Sequence, residues 1–466
     1  MIFTASPGTA AAPHVSRGDD FRFNALQTLP QFLRGTFTRR PRVGAMLDRV
    51  LSDPLGVRLV SDLRRKYGSD YLWLSMLGKP SLLVLDVNGI RQVLDSSPAV
   101  YGPPDLKVRG MSHFQPDALT ISTGADWTRR RAFSDEVLGA GRAVHPRAAE
   151  FLGAVDSAIS PLVAGERPTL RGTDIHAAFR RLTSHVVFGP AIEAEPVLSR
   201  LDALMKRANR IGGKSDTPER RALHDGVRER ILDPRAAGLA AAACPHIRSG
   251  GARGGAESDA RGVRPDEAVD SLPVAGQVTH WLFAMKDTLA ANCANALALI
   301  AAHPEVQERA HSESAATDLG DPAAVDRMAY VEGCLRDTMR LWPTTPLILR
   351  KALRDTDLAG HAVPAGSQVV IHNGFNHRNP EAIVEPDRFH PDAWQQGVWD
   401  YRFNYLSNGP QACGGRELVL FLGKAALANC LRRHRWTLTK SSVALGPRLP
   451  GAQAFDARAM VLTGRA

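Results

Sequence analysis

The chain has 466 residues, 44% of them hydrophobic, enough to bury a large core in one big domain or two. Its five cysteines, Cys244, Cys293, Cys334, Cys413 and Cys430, form no Cys-x-x-Cys pair, which excludes a disulfide framework and a zinc site built on such pairs. The net charge of +10 is not interleaved with aromatic residues, so it suits an acidic protein partner better than nucleic acid.

Met1 to Asp20 is small, polar and Pro/Gly/Ala-containing, and is expected to be a flexible tail ahead of one domain over residues 21–466. No signal-peptide pattern and no long uncharged apolar run stands near the start, so a soluble, cytoplasmic chain without a membrane span is expected. Pro41 to Lys66 reads as helical, with Leu47, Val50 and Leu51 on one face. Tyr71 to Leu77 and Ser81 to Leu85, joined through Gly78-Lys-Pro80, read as a β-hairpin. Helical periodicity dominates from about 88 to 240. Within it, Trp127 and Arg131 stand four residues apart and share a face.

Cys244 to Asp266 is rich in Gly, Ser, Ala and Arg and is expected to be a mobile loop. Val274 to Ala302 reads as one long helix, apolar on nearly all sides, with His280, Lys286, Asp287, Thr288 and Asn292 as its polar exceptions. Lys286 and Asp287 at its middle argue against a bilayer and for a buried central helix. A second helix spans Pro322 to Trp342 and stops before Pro343. It carries Asp337 and Arg340, whose spacing of three puts them on one face; an exposed pair of this kind is worth only about 0.3 kcal/mol. Strand-like runs follow at Leu347-Ile-Leu349 and Gln368 to His372, then an irregular stretch from Asn379 to Trp394 containing Glu385-Pro-Asp-Arg-Phe389.

Next comes Leu406-Ser-Asn-Gly-Pro-Gln-Ala-Cys-Gly-Gly-Arg-Glu-Leu418, and then an apolar helix to Ala428. Gly409, Gly414 and Gly415 allow tight turns and close backbone approach to a flat ligand. Cys413 ahead of a helix N-terminus is favoured as a thiolate, which is a metal ligand. The composition of the whole is mostly α with minor β.

The 406–418 loop resembles the haem-ligating loop of the cytochrome P450 family, and three further segments resemble that family's motifs in the same order. Tyr330 to Pro343 is similar to the family's Glu-x-x-Arg helix, with Asp337 for Glu, and the resemblance implies that Asp337 and Arg340 lock to Arg388. Ala284-Met-Lys-Asp-Thr288 is similar to the oxygen-activating motif, with Met285 where the family has Gly. Trp127 and Arg131 match a pair that contacts a haem propionate, which implies that Arg129 and Arg130 face outward, and Arg350 matches another such position. The family usually has Phe at Leu406 and a basic residue at Gln411.

The resemblance implies a cytochrome P450 fold, with heme b (iron protoporphyrin IX) between the 274–302 helix and a Cys413 ligand. It implies further cofactor contacts from Ala284, Leu406, Gln411, Gly415, Trp127, Arg131 and Arg350, with Asp287 and Thr288 as the catalytic proton carriers. The implied activity is monooxygenation of a small apolar or secondary-metabolite substrate. Electrons would come from NAD(P)H through an external ferredoxin or flavoprotein, to a monomer. Oxidative coupling, desaturation, peroxide-dependent oxidation, or a non-catalytic haem or ligand-binding role are the alternatives. Segments 88–120 and 190–235 with Thr344, Thr345, Leu347 and Ile348 are the expected substrate contacts.

Overall fold

A computed structural model describes residues 11–466 except 36, 38, 39, 41, 42, 45, 48–53, 210–214, 253–272, 398, 399, 452, 453 and 466. The chain divides into two compact units that alternate along the sequence. The first comprises Met1–Lys107, Arg336–Cys413 and Ser442–Asp456; the second comprises Val108–Leu335, Gly414–Ser441 and Ala457–Ala466.

The first unit is built on a five-stranded sheet. Tyr71–Met76 and Lys79–Val84 form the expected hairpin in register Met76↔Lys79, around a two-residue turn at Leu77 and Gly78. Both turn residues have positive φ, the backbone a tight hairpin needs. Lys79–Val84 runs parallel to Gln368–His372, which is antiparallel to Leu347–Ala352, and that strand pairs with Tyr101–Gly102. Gln368–His372 is buried along its whole length, as expected of a strand covered on both faces. One face packs Leu82, Val84, Ile348, Val369 and Ile371; the other packs Leu72, Leu74, Leu83 and Val370 against Phe23, Val60, Leu63 and Phe375. Ile348 is therefore core rather than a substrate contact.

Two expectations change in the first unit. Arg17–Phe23 is a helix capped by Ser16, with Asp19 buried against Lys66 and Tyr67, so the end of the expected tail is packed structure. Of the helix expected from Pro41 to Lys66, residues 43, 44, 46 and 47 are helical, Leu47 being buried, and Pro54–Tyr67 forms a helix; Val50 and Leu51 lie outside the described residues.

The second unit is mainly helical, with a three-stranded sheet of Thr169–Arg171, Val461–Arg465 and Arg435–Lys440. The central helix is continuous from Val274 to Ala302, but Ala284–Leu289 is wound as a π-helical turn. The closing helix, Arg416–Leu431, is buried on nearly all sides. The segment from Cys244 is not a loop at its start: Gly238–Ala252 is helical, the Ala-rich run before Cys244 carrying it, and residues 253–266 lie outside the described residues. The helix expected from Pro322 to Trp342 is two, Pro322–Asp326 and Ala329–Leu341. Among the described residues no helix is long and apolar enough to cross a membrane.

Candidate functional site

The cysteine loop is closed by its own backbone: the Cys413 amide donates to the Leu406 carbonyl at 2.9 Å, and Ala412 donates to Gly409 at 2.9 Å. Gly409 has φ +66°, and a Cβ there would stand 2.5 Å from the Leu94 carbonyl oxygen, so only glycine fits. Gly415 caps the helix Arg416–Leu431. Cys413 is partly exposed, as is Cys244 on the helix Gly238–Ala252, whereas Cys293, Cys334 and Cys430 are buried. Burial raises the Cys430 thiol to about 12 and the Cys293 thiol well above its ordinary value, so neither is a thiolate at neutral pH. Cys413 is thus an accessible thiol, and its preformed loop sets it apart from Cys244. Leu406 and Gln411 line the same loop, half-buried.

A buried polar relay runs from the Asp337–Arg340 pair to this loop. Arg340 donates from Nε to Asp337 Oδ1 at 2.6 Å and from Nη2 to Oδ2 at 3.1 Å. The same guanidinium donates to the carbonyls of His377, Pro386 and Arg388 at 3.2, 2.7 and 2.8 Å. His377 Nδ1 donates to the Arg340 carbonyl at 3.1 Å, and its Nε2 accepts from the Asn404 amide at 3.0 Å. Asn408 then donates to Asn404 Oδ1 at 2.8 Å, at the entrance of the cysteine loop. Burial depresses His377 to about 3, which keeps it neutral and able to accept.

Arg388 does not join by its side chain, as expected from sequence, but by its carbonyl. Its guanidinium is 56% exposed and pairs with Glu385 at 3.0 Å. The Asp337 carboxylate instead accepts from the His390 amide at 2.6 Å and Trp394 Nε1 at 2.9 Å. His377, Asn404, Asn408 and Trp394 were missed in the sequence, where a lone His, Asn or Trp carries no sign of a partner many residues away.

Arg350 is buried, 8% exposed, on strand Leu347–Ala352. It donates to Ser97 Oγ at 3.3 Å and to the Leu349 carbonyl at 3.1 Å, and among the described residues it has no carboxylate partner. Desolvation draws its pKa down to about 10. A buried guanidinium without a counterion is costly, which points to an anionic group that completes it.

In the second unit, Trp127 is half-buried, and Arg131 pairs with Asp135 at 2.7 Å. Arg130 does not face outward: it turns in, donating to Ser122 Oγ at 2.5 Å and pairing with Asp117 at 3.4 Å, while Arg129 pairs with Asp126 on the surface. Ala284, Asp287 and Thr288 fall in the π-helical turn, a distortion that recurs at functional sites. Thr279, on the same helix, bonds back to the Ala275 carbonyl at 2.8 Å, but the exposed Thr288 hydroxyl makes no such bond. It is free to donate elsewhere. Met285 is buried. Lys286 is also buried, with its ammonium between Asp287 and Asp202, and Asp287 accepts a second cation from Arg458 at 3.4 Å.

The architecture matches a known one. A crystal structure of a 6-coordinated cytochrome P450 from Thermus thermophilus superposes with a TM-score of 0.60 at 18% identity, covering 88% of this chain and 98% of that one. The fold is therefore that of a cytochrome P450. The family model "Cytochrome P450" matches residues 260–449. Cytochrome P450 4c3 of Drosophila melanogaster is 32% identical over 169 residues, 34% of this chain and 32% of that protein. Cytochrome P450 4V2 of Homo sapiens is 31% identical over 169 residues, with the same two shares. The matched part thus spans about a third of these relatives. The fold and the matched segment 260–449 are thus similar to those of the cytochrome P450 family. The family's cofactor is haem, and the residues present fit it: an accessible cysteine in a glycine-shaped loop, and a buried arginine lacking a carboxylate.

Proposed function

We propose that this chain is a haem-thiolate monooxygenase that inserts one atom of O2 into an organic substrate, the second atom leaving as water with two electrons and two protons consumed. Heme b, when bound, supplies the redox-active iron for that chemistry. Cys413 ligates it, and Leu406, Gln411 and Gly415 shape the backbone that presents the sulfur. Arg350 neutralises a propionate through the strong charge-assisted contact that its uncompensated guanidinium is ready to make. Trp127 and Arg131 serve the other propionate, Arg131 remaining braced by Asp135. Asp337 and Arg340 hold the coil before the cysteine loop.

On the central helix, Ala284 leaves room beside the π-helical turn, the Thr288 hydroxyl donates a proton, and the Asp287 carboxylate resupplies it from solvent. Electrons reach it from NAD(P)H through a ferredoxin or flavoprotein drawn to its net positive charge. The substrate is a small apolar or secondary-metabolite molecule, and the enzyme works as a cytoplasmic monomer.

The observation that carries this reading is the Cys413 loop, closed on Leu406 and reached by the buried relay from Asp337 and Arg340. The carbon-monoxide difference spectrum of the reduced protein tests it. A strongly red-shifted Soret band is expected, lost in Cys413→Ala; a histidine-like band, or colourless protein, overturns it. Asp287→Asn with Thr288→Ala is expected to suppress O2-dependent product formation while sparing that spectrum. A second reading, peroxide-dependent oxidation, draws on the pairing of Asp287 with both Lys286 and Arg458, which ties up the proton carrier. Peroxide then supports turnover in the Asp287→Asn variant as well as in the parent.

A further inference from the structure

We propose that Gln115, held in place by His280, donates a hydrogen bond that anchors the polar end of the substrate. His280 is one of the few polar residues on the apolar central helix. Between Val278 and Ala290 that helix is buried except at His280, Phe283, Ala284, Asp287 and Thr288. Positions three and four residues apart lie on one face, so these five form a single stripe. It runs from His280 to the Thr288 hydroxyl, about 12 Å along the helix axis.

Residues 112–119 are fastened beside the head of that stripe. From helix Pro218–Leu232, Arg220 donates to the Ser112 carbonyl at 3.4 Å and His224 Nε2 to the Phe114 carbonyl at 3.0 Å. From the central helix, Gln277 donates to the Asp117 carbonyl and accepts from the Leu119 amide at 3.1 Å. The rings of Phe114 and Phe283 pack with centroids 5.4 Å apart. Gln115 lies within these ties and is 0% exposed. Its Oε1 accepts from His280 Nδ1 at 3.1 Å, but its buried Nε2 has no partner among the described residues.

A buried amide nitrogen left unpaired is costly, and native structures rarely keep one without a reason. The neighbouring carbonyls of Phe114 and Asp117 are already taken by His224 and Gln277. A substrate oxygen that accepts from Nε2 supplies the missing bond. Gln115 is neutral, and a neutral carbonyl costs far less to bury than a carboxylate. The substrate so defined is an apolar molecule with a carbonyl oxygen at one end, oxidised at the other end, about 12 Å away. The place of oxidation rests on the monooxygenase reading above; the anchor does not.

The probe is undecan-2-one carrying carbon-13 in its carbonyl, with undecane as the matched hydrocarbon. Equilibrium partitioning measures the affinity of each, and infrared difference spectra measure the carbonyl stretch of the bound ketone. Neither needs a haem signal. The parent is expected to bind the ketone about tenfold more tightly than undecane, with the stretch lowered from its value in heptane. Gln115→Met keeps a side chain of similar length without the donors. Checked for parental far-UV circular dichroism, it is expected to lose that preference, bind undecane as before and return the stretch to its heptane value. If Gln115→Met does not fold, the parent's own stretch decides.

A parent stretch already at the heptane value overturns the anchor, as does a parent that does not prefer the ketone. Equal weakening of ketone and hydrocarbon in Gln115→Met overturns it too, and leaves Gln115 a packing residue. A parent without the thiolate-type carbon-monoxide spectrum sinks the monooxygenase reading, while partitioning and the carbonyl stretch still decide the anchor.

Discussion

The Lys286 ammonium lies 2.7 Å from Asp202 Oδ1 although the two residues are 84 positions apart, and Lys286 is only 4% exposed. Its other partner is its neighbour Asp287, on the π-helical turn. Asp202 in turn accepts from Arg180, which also pairs with Glu195. A buried cation held by two carboxylates tolerates the loss of one far better than of both.

Asp202→Asn and Asp287→Asn are therefore expected to be individually mild and jointly severe. Each single variant should cost about 1 kcal/mol, and the double variant about 4, because only the double variant leaves a buried ammonium unpaired. Urea unfolding of the four proteins measures this. Simple additivity contradicts the arrangement.

Asp337 and Arg388 are expected to part company. Asp337 is 1% exposed and accepts from Arg340, His390 and Trp394, so Asp337→Asn should cost about 3–5 kcal/mol by stranding a buried guanidinium. Arg388→Ala removes a surface ion pair and leaves the carbonyl that Arg340 uses, so it should cost less than about 0.5 kcal/mol. Equal losses in thermal unfolding restore the side-chain role first expected of Arg388.

Gly409→Ala is expected to disrupt the cysteine loop, since its Cβ would meet backbone that cannot swing away. Gly397 also has positive φ, at +70°, but nothing lies within 4 Å of an added Cβ. Gly397→Ala should thus show only the conformational strain of about 1 kcal/mol. Gly409→Ala should go further and reduce haem retention. Similar behaviour of the two variants places no close contact at Gly409.

What could be read from the sequence was what is local. The hairpin at 71–84 announced itself by alternation and Gly78, the central helix by its apolar length, and the cysteine loop by its glycines. Family resemblance gave Asp337 and Arg340 a pairing, but their partners lie up to 57 residues away and include backbone carbonyls, to which no side-chain pattern points. Gly238–Ala252 went the other way: Gly and Ser after Cys244 outweighed four consecutive alanines before it. That Arg350 lacks a carboxylate partner among the described residues is invisible in sequence, because it is a property of the fold alone.

His377 and His372 set the acid limit of the first unit. His377 accepts from the Asn404 amide, and His372, depressed by burial to about 4, accepts from the Phe375 amide at 2.9 Å while its Nε2 donates to Gln27 Oε1 at 3.0 Å. Both rings are neutral when folded and would gain a proton on the nitrogen that accepts. In the unfolded chain a histidine titrates near 6.5. Below that pH the unfolded state binds more protons, so stability falls as pH drops from 6.5 toward the folded values of about 4 and 3. The expected loss between pH 6.5 and 5 is about 2 kcal/mol for each ring. His377→Asn retains a donor toward the Arg340 carbonyl but cannot titrate. It should be less stable than the parent at pH 7.5 and lose less stability on acidification. Urea midpoints measured across pH 7.5 to 4.5 test this, and an unchanged acid slope in His377→Asn shows that the ring is already protonated in the folded protein.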